Sequence, residues 1–445
     1  MKINHVRIRE AWGLKDLLIK FDKPSEEYFK KSNISIIVGE NGTGKTSILR
    51  LLSYAFFPEM NEKQELYPQF HINYEINEKE YEIGALGNES RSISRPKKVI
   101  VSSYAVFEAF KVNYKKGNKV NNYVGEYAGT EYYYCGPTVK GGISSLKEAI
   151  PTIIKSFYNA KENKKLSESI NQLMSVIGYS GYPFIEISLP RLNHSRMRKM
   201  DYSDEDILLL QEKSFILKNE IKYRSLKPLG GGKYLISPEA VDDNFLEMLL
   251  ELDESEFFSK IFIDLIFRRE GENVHFSQMS SGELTMFFRF FPLIDKICDD
   301  CVVLIDEPET HLHPKWIKNY INLLVKLFGN FNVHFIIATH SPLIASDVPK
   351  ECIIGLKRIN NNLIKQYNIH EKTLGGETGD ILQDVFNLEE YGGEFTKSKK
   401  EKIKQLLIDS KINEALNLYD DLSLNSDKYK FFDEIVHLLP DIGKE

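Results

Sequence analysis

The chain has 445 residues, 42% of them hydrophobic and 27% charged, a balance that excludes collagen-like, coiled-coil-only and wholly disordered proteins. Sixty-four acidic residues against 58 basic ones leave a formal charge of −6. A chain that coats nucleic acid with bulk positive charge is thereby excluded, and any DNA contact needs a local patch. No apolar run approaches the ~20 residues a bilayer requires, and the N-terminal MKINHVRIRE has no signal-peptide core. Four scattered cysteines frame no disulfide scaffold, and the Cys298-x-x-Cys301 pair has no second pair to complete a zinc site. A cytosolic protein without a membrane partner is expected, with about three domains at roughly 150 residues each, or one large domain carrying an insertion.

In chain order, Ile3–Ile8 alternates, Leu17–Phe21 is apolar, and Ile34–Val38 is a β-branched run ending in glycine, all strand patterns. Gly39-Glu-Asn-Gly-Thr-Gly-Lys-Thr46 follows, a full match to GxxxxGK[ST] between that strand and a predicted helix, Ser47–Tyr54. Its glycines let successive N–H groups turn inward around a β-phosphate, and the helix directs its positive end at the anion. Gly39, Asn41, Gly42, Thr43, Gly44, Lys45, Thr46 and Ser47 are therefore the expected nucleotide-binding residues. Lys45 would bridge the β- and γ-phosphates and Thr46 would ligate Mg²⁺.

Strand-like segments are expected at 68–83 and 98–104, and an irregular aromatic segment at 105–142, which includes Glu131-Tyr-Tyr-Tyr-Cys. Helical patterning covers 144–177, 205–224 and 240–268, broken by a turn at Gly230-Gly-Gly. Arg191, His194, Arg196, Arg198 and Lys199 are the densest basic cluster, readable as a DNA-phosphate patch or as a solvated face. Ile207–Leu210 and Ile216–Ile221 form a short apolar stripe, suited to core or dimer packing rather than to a long coiled coil.

From 276 onward, helices alternate with buried strands, which is α/β with a parallel sheet. Val302-Val-Leu-Ile-Asp-Glu307 is four apolar residues followed by two acids, so a buried strand holds both carboxylates rigidly. Asp306 suits the Mg²⁺ shell, and Glu307 can orient or deprotonate an attacking water. His311 and His313 follow without a third ligand at suitable spacing and read as loop contacts. A second apolar strand ends in Thr339-His340, and 393–445 reads as a Lys- and Glu-rich amphipathic helix with Leu406, Leu407, Ile412, Ala415 and Leu416 on its apolar side.

Upstream of the carboxylates lies Phe276-Ser-Gln-Met-Ser-Ser-Gly-Glu-Leu284. With it, the motif order resembles that of the ABC-type ATPase superfamily: Met279-Ser-Ser-Gly-Glu283 stands where that superfamily has LSGGQ, and His340 where it has its switch histidine. Two departures stand out, Ser281 for glycine with Glu283 for glutamine, and Ser102-Ser-Tyr-Ala105 where a glutamine usually follows a strand. The resemblance implies a fold with an ABC-type ATPase head of mixed and parallel sheets, a mainly helical insertion and a helical C-terminal extension. It also implies a composite site that hydrolyses ATP, in which Ser280 and Gly282 of one protomer close over the γ-phosphate bound to the other. The catalytic set would be Lys45, Glu307 and His340.

The 267 residues from Gly39 to Asp306 exceed what a transporter ATPase needs, which sets that reading aside. Asp306-Glu-Pro-Glu-Thr-His-Leu-His-Pro314 resembles the RecF and OLD-type soluble ATPases, and Asp380–Phe386 and the Tyr-rich 123–137 are similar to ATPases of Septu, retron and PARIS anti-phage systems. Implied partners are a second copy in a head-to-tail dimer or higher oligomer and a separate effector, such as a nuclease; a RecF-type repair ATPase that binds DNA directly is the alternative. The expected organisation is 1–144 and 271–370 as the two parts of the head, 145–270 as the insertion and 371–445 as the extension.

Overall fold

Apolar alternation gives the first strands one buried and one wet face. In the computed structural model, β1 (Lys2–Ala11) buries Ile3, Val6 and Ile8 and pairs antiparallel with β2 (Leu14–Lys20). The structure describes residues 1–24, 27–58, 68–84, 94–104, 110, 123–136, 143–191, 204–255, 257–360, 363–386, 393–423 and 426–439. Next come β3 (Asn33–Gly39), α1 (Lys45–Phe56), β4 (Gln69–Ile76), β5 (Lys79–Gly84), β6 (Lys98–Ser103), β7 (Tyr123–Tyr127) and β8 (Thr130–Tyr134). The order β2-β1-β4-β5 makes a four-stranded antiparallel sheet.

The expected irregular segment is in part a hairpin. Ala128 (φ 49°) and Gly129 (φ 81°) are the two left-handed residues that a two-residue turn between twisted strands requires. Its tyrosines face the core: Tyr132 and Tyr134 are buried, and Tyr132 stacks on Phe57 at 5.1 Å. Residues 105–109 and 111–122 lie outside the described residues.

The middle of the chain contains α2 (Ile143–Lys161), α3 (Lys164–Val176), β9 (Ser180–Ser188), α4 (Asp204–Arg224), β10 (Ser225–Gly230), β11 (Lys233–Ile236), α5 (Asp243–Glu254), β12 (Phe262–Arg269) and β13 (Glu272–His275). Most of its residues in regular structure are helical, but β10-β11-β9-β12-β13 forms a five-stranded antiparallel sheet that periodicity did not reveal. The expected helix over 240–268 stops at Glu254, where Asp253 turns back to accept hydrogen bonds from the N–H groups of Ile261 (2.6 Å) and Phe262 (3.2 Å). The β-branched and aromatic run that follows then pairs as β12. Gly230, Gly231 and Gly232 all have positive φ and form the expected turn between β10 and β11.

The remaining elements of this unit are α6 (Ser281–Lys296), β14 (Cys301–Asp306), α7 (Pro314–Lys318), α8 (Tyr320–Phe328), β15 (Val333–Ala338), α9 (Pro342–Ala345), β16 (Ile353–Asn360) and β17 (Leu363–Tyr367). The main sheet runs β17-β16-β3-β15-β14-β6-β8-β7, its six inner strands parallel and its two edges antiparallel. Every residue of β14 and β15 is buried. Each fully buried Val, Leu or Ile contributes about 1.5–3 kcal/mol, enough to hold a carboxylate at the strand's end out of bulk water. Helix α1 packs its apolar face among Val101, Leu304 and Ile336 of this sheet and Phe70 and Tyr74 of the first.

His334 ties the N-terminal strand to this sheet. Its Nδ1 accepts from the Ile3 N–H (3.0 Å), so Nε2 carries the proton toward Ser35 Oγ (2.9 Å). Burial, helped by the Lys2 charge, pulls its pKa down to about 3. The unfolded chain titrates near 6.5, so this stabilisation is complete above pH 6.5 and is lost as pH falls toward 3. Denaturant unfolding is expected to lose about 2–3 kcal/mol through this residue between pH 6.5 and 4.5. His334→Gln should flatten that slope; an unaltered slope would contradict the assignment.

The chain divides into two compact units, Met1–Gly375 and Gly376–Glu445. The second contains α10 (Thr378–Asp384), α11 (Glu394–Ile408), α12 (Ile412–Asp420) and α13 (Ser426–Ile435). The single amphipathic helix expected over 393–445 is thus three, broken first at Ser410, which has φ 61°. Ile403, Leu407, Ala415, Phe431 and Ile435 form their core, with Leu406 packed on it and Leu416 largely outside. Among the described residues no helix is long and apolar enough to cross a membrane.

Candidate functional site

The parallel strands β3, β6, β14 and β15 end along one edge: Ala338 pairs with Ile37, and Asp306 lies beside both Ala338 and Ser103. Ligands of α/β sheets bind outside such carboxyl ends. The Gly39–Thr46 loop leaves β3 there and starts α1. A Cβ on Gly39 would stand 2.5 Å from the Leu356 carbonyl oxygen, and one on Gly44 (φ 82°) would stand 2.5 Å from Leu14 Cδ2. Both positions therefore need glycine for want of space, and Gly44 also for its backbone conformation. Arg358 of β16 donates to the Gly42 carbonyl, a contact the sequence did not advertise. Asn41 and Gly42 are exposed, Thr43 is buried, and Gly44, Thr46 and Ser47 are half-buried. Helix α1 has no acidic residue in its first turn, which leaves its N-terminus free to attract an anion.

Lys45 is buried, its ammonium donating to the carbonyls of Gly39 (2.9 Å) and Glu40 (3.1 Å). Burial lowers its pKa to about 8 against the opposing charges of Asp306, Glu307 and Glu309. Thr46 Oγ1 lies 3.0 Å from Asp306 Oδ2, donating to it. Burial raises the Asp306 carboxyl to about 7, the Thr46 hydrogen bond opposing and Glu307 reinforcing the shift. Beside Asp306 on β6, the Ser103 hydroxyl is buried without a hydrogen-bond partner. Ser103 is the residue this chain has near the place of the missing glutamine. A hydroxyl, a carboxylate and an orphaned hydroxyl are hard oxygen donors, and they fit Mg²⁺ together with nucleotide phosphates.

Glu307 is held at φ 50°, a conformation costly for a residue with a side chain, by its N–H bond to the Ala338 carbonyl (2.9 Å). Its Oε2 accepts from Thr310 Oγ1 at 3.4 Å. His340 is half-buried at the end of β15. Burial, then the nearby Lys45 charge, lowers its pKa, which favours the neutral imidazole.

Sequence reasoning missed Glu309. One of its oxygens accepts from the His340 N–H (2.6 Å) and the other from Thr339 Oγ1 (2.7 Å), so it grips the strand end that carries the histidine. A third acid spaced two residues past Glu307 was the available signal. Glu309→Ala is expected to lower kcat about 10–100-fold with little change in KM, because misplacement by about 1 Å is that costly. Glu309→Gln, which keeps an acceptor, should recover most of it. A changed KM at constant kcat would refute the positioning role.

Arg289 of α6 was also missed. It is fully buried, donates to the carbonyls of Pro308 and Thr310 (2.8 Å for the latter), and lies 3.6 Å over the Tyr104 ring. It joins the helix after the signature motif to the loop after the paired acids.

Ser280 caps α6, accepting from the Glu283 N–H (3.4 Å), while Glu283 accepts from the Ser280 N–H (2.7 Å) and pairs with Arg269. Burial pushes the Glu283 carboxyl up, but these hydrogen bonds and the Arg269 charge outweigh it and hold the pKa low. Glutamic acid at the glutamine position thus closes a capping box. The helix begins at Ser281, and Ser280, Ser281 and Gly282 are exposed, with open space around Gly282.

His313 caps α7, its Nδ1 accepting from the Lys315 N–H (3.2 Å), and no cluster of three metal-binding side chains occurs among the described residues. Of the basic cluster, Arg191 donates to the Gly231 carbonyl (3.4 Å), while His194, Arg196, Arg198 and Lys199 lie outside the described residues.

Residues 34–347 match the family model described as "AAA domain, putative AbiEii toxin, Type IV TA system". Protein ea59 of Escherichia phage lambda is 26% identical over 383 residues, 86% of this chain and 59% of that protein. The retron Vc95 probable ATPase of Vibrio cholerae serotype O1 biovar El Tor is 23% identical over 85% of this chain and 79% of its own length. The Septu protein PtuA of Bacillus thuringiensis is 27% identical over 158 residues, 31% of this chain and 39% of that protein. The chain therefore spans less than two thirds of the lambda protein.

Proposed function

Because the chain belongs to that AAA-domain family, we propose that it binds and hydrolyses ATP as the scaffold and sensor subunit of an anti-phage defence complex. In this reading nucleotide-dependent closure of a dimer controls a separate effector, such as a nuclease. The observation that carries the reading is the convergence of Lys45, Thr46, Asp306, Glu307 and a Glu309-held His340 at one sheet edge. The names of the retron and Septu relatives support the defence setting. The division into head (1–144 and 271–370), insertion (145–270) and extension (371–445) belongs to the same proposal.

Lys45 places its ammonium between the β- and γ-phosphates, and the N–H groups from Asn41 to Ser47 wrap the same anion. Thr46 and Asp306 would hold Mg²⁺, which would supply charge neutralisation on the phosphate oxygens. Glu307 accepts the proton of the attacking water and His340, neutral, donates toward the γ-phosphate. Ser280 and the Gly282 N–H, exposed at the start of α6, contact the γ-phosphate held by the other protomer. This reciprocal use of two different surfaces closes a two-fold dimer with two nucleotides.

The test is the mass of the complex purified together with the products of the flanking reading frames, with and without ATP and Mg²⁺. A nucleotide-sensitive assembly containing an effector is expected. A lone dimer that binds DNA only with ATP would instead favour direct DNA repair.

A further inference from the structure

The carboxyl ends of the parallel strands carry the phosphate loop and the paired acids. Cys298 and Cys301 stand at the opposite edge, where β14 begins. Asp299 and Asp300 make the turn between them, with Asp300 at φ 65°. This turn is fixed from outside. The Asp299 carboxylate accepts from the Asn332 N–H (2.7 Å) and pairs with Lys165 of α3 (3.3 Å). The Asp300 carboxylate accepts from Asn332 Nδ2 (2.9 Å) and faces the N-terminal ammonium at 3.5 Å. Held in this way, the turn brings the Cys298 and Cys301 sulfurs to 2.9 Å, and the Cys298 N–H donates to Cys301 Sγ (3.3 Å). A disulfide bond is about 2.05 Å long, so less than about 1 Å of movement separates the two thiols from bonding.

The two sulfurs are not equivalent. Cys298 is half-buried, whereas Cys301 is fully buried. The hydrogen bond from Cys301, backed by the Lys98 and Lys97 charges, holds the Cys298 thiol below its ordinary pKa, although burial and Asp299 oppose it. Burial pushes the Cys301 thiol well up. Such a pair has an attacking sulfur within reach of solvent and a second sulfur that stays protonated beneath it. Cys135 and Cys352 are buried and pushed up to about 12, the environment of inert thiols. A metal is the other use of a Cys-x-x-Cys pair, but both neighbouring carboxylates are already engaged. No group of three metal-binding side chains occurs among the described residues. A bond spanning four residues closes too short a loop to constrain the unfolded chain much, so the pair suits reversible exchange rather than a structural cross-link.

We propose that Cys298 and Cys301 are a reversible dithiol–disulfide site that is oxidised by small-molecule disulfides, Cys298 attacking and Cys301 closing the bond. The Cys298 thiolate attacks one sulfur of the small disulfide, whose S–S bond breaks. The other half leaves as a thiolate and takes up the proton that Cys298 has lost. Cys301 then attacks Cys298 Sγ and displaces the second half, which takes up the Cys301 proton. Two cysteine sulfurs are oxidised, and one small disulfide is reduced to two thiols.

The test is peptide mass mapping of the native full chain after incubation with oxidised glutathione. Cleavage after Lys296 and Lys315 leaves both cysteines in one peptide. That peptide should lose two hydrogens and regain them with dithiothreitol, while Cys135 and Cys352 stay unmodified. Cys301→Ala should stop at the mixed disulfide, with one glutathione on Cys298, and Cys298→Ser should leave Cys301 unmodified. Iodoacetamide should alkylate Cys298 of the reduced parent chain at least about tenfold faster than Cys135 or Cys352, which keeps the test decisive if a variant unfolds. A parent chain that forms no disulfide, or one whose disulfide resists dithiothreitol, would overturn the proposal. Glutathione carried by Cys301, a Cys301→Ala chain that gains none, or equal alkylation of Cys298, Cys135 and Cys352 would do the same.

Discussion

Glu307→Gln is expected to bind ATP with Mg²⁺ as the parent chain does and to hydrolyse it about 10²–10⁴-fold more slowly, the range that a positioned general base supplies. Gln is of the same size and can keep the contact with Thr310, and the backbone hydrogen bond to Ala338 that holds residue 307 at φ 50° is untouched. Only the capacity to take a proton is removed. The nucleotide should therefore stay trapped and the closed dimer accumulate. Single-turnover hydrolysis and the mass of the nucleotide-bound species measure both effects. Unchanged turnover would take Glu307 out of the reaction.

The second large effect is expected of Lys45→Ala. Its ammonium is the buried cation of the loop, kept charged near neutral pH although burial has brought its pKa down to about 8. Losing one hydrogen bond to a charged phosphate, about 1.5–3 kcal/mol, should weaken ATP binding about 10–150-fold. The pH dependence carries the same signature. Binding favours the ammonium form, so the parent chain's affinity should fall as pH rises through about 8, and Lys45→Ala should lack that fall. Calorimetric titration with ATP between pH 7 and 9 checks both statements, and normal affinity in the variant would contradict the phosphate-loop assignment.

The parts of the site legible in the sequence are those built from neighbours along the chain. The loop from Gly39 to Thr46 needs small residues, a lysine and a hydroxyl at set spacing after a strand, and Val302–Glu307 needs an apolar run ending in acids. Such patterns are read without knowing where the chain goes next. They also separated the strands at 34–38, 98–103 and 333–338 from the helices around them, because a doubly covered parallel strand is continuously apolar.

What escaped depends on partners far along the chain. Nothing in the tyrosines of 123–134 distinguishes a ligand-facing stretch from a hairpin packed on Phe57. Ile261–Phe267 has enough apolar residues for either period, and its pairing with β9 settled the choice. Glu309 became a positioning residue only because β14 and β15 end side by side, which brings it to the His340 N–H, and Arg289 because α6 crosses the loop at Pro308–Thr310.

The sequence by itself determined the nucleotide loop, the paired acids and the α/β alternation, since local spacing and burial period carry that chemistry. The tertiary structure alone decided which groups hold His340, which serine stands near the glutamine's place beside Asp306, and which face of α4 is buried. A residue's period reports that it is buried or exposed, whereas the identity of what it touches is set by strand order and helix packing.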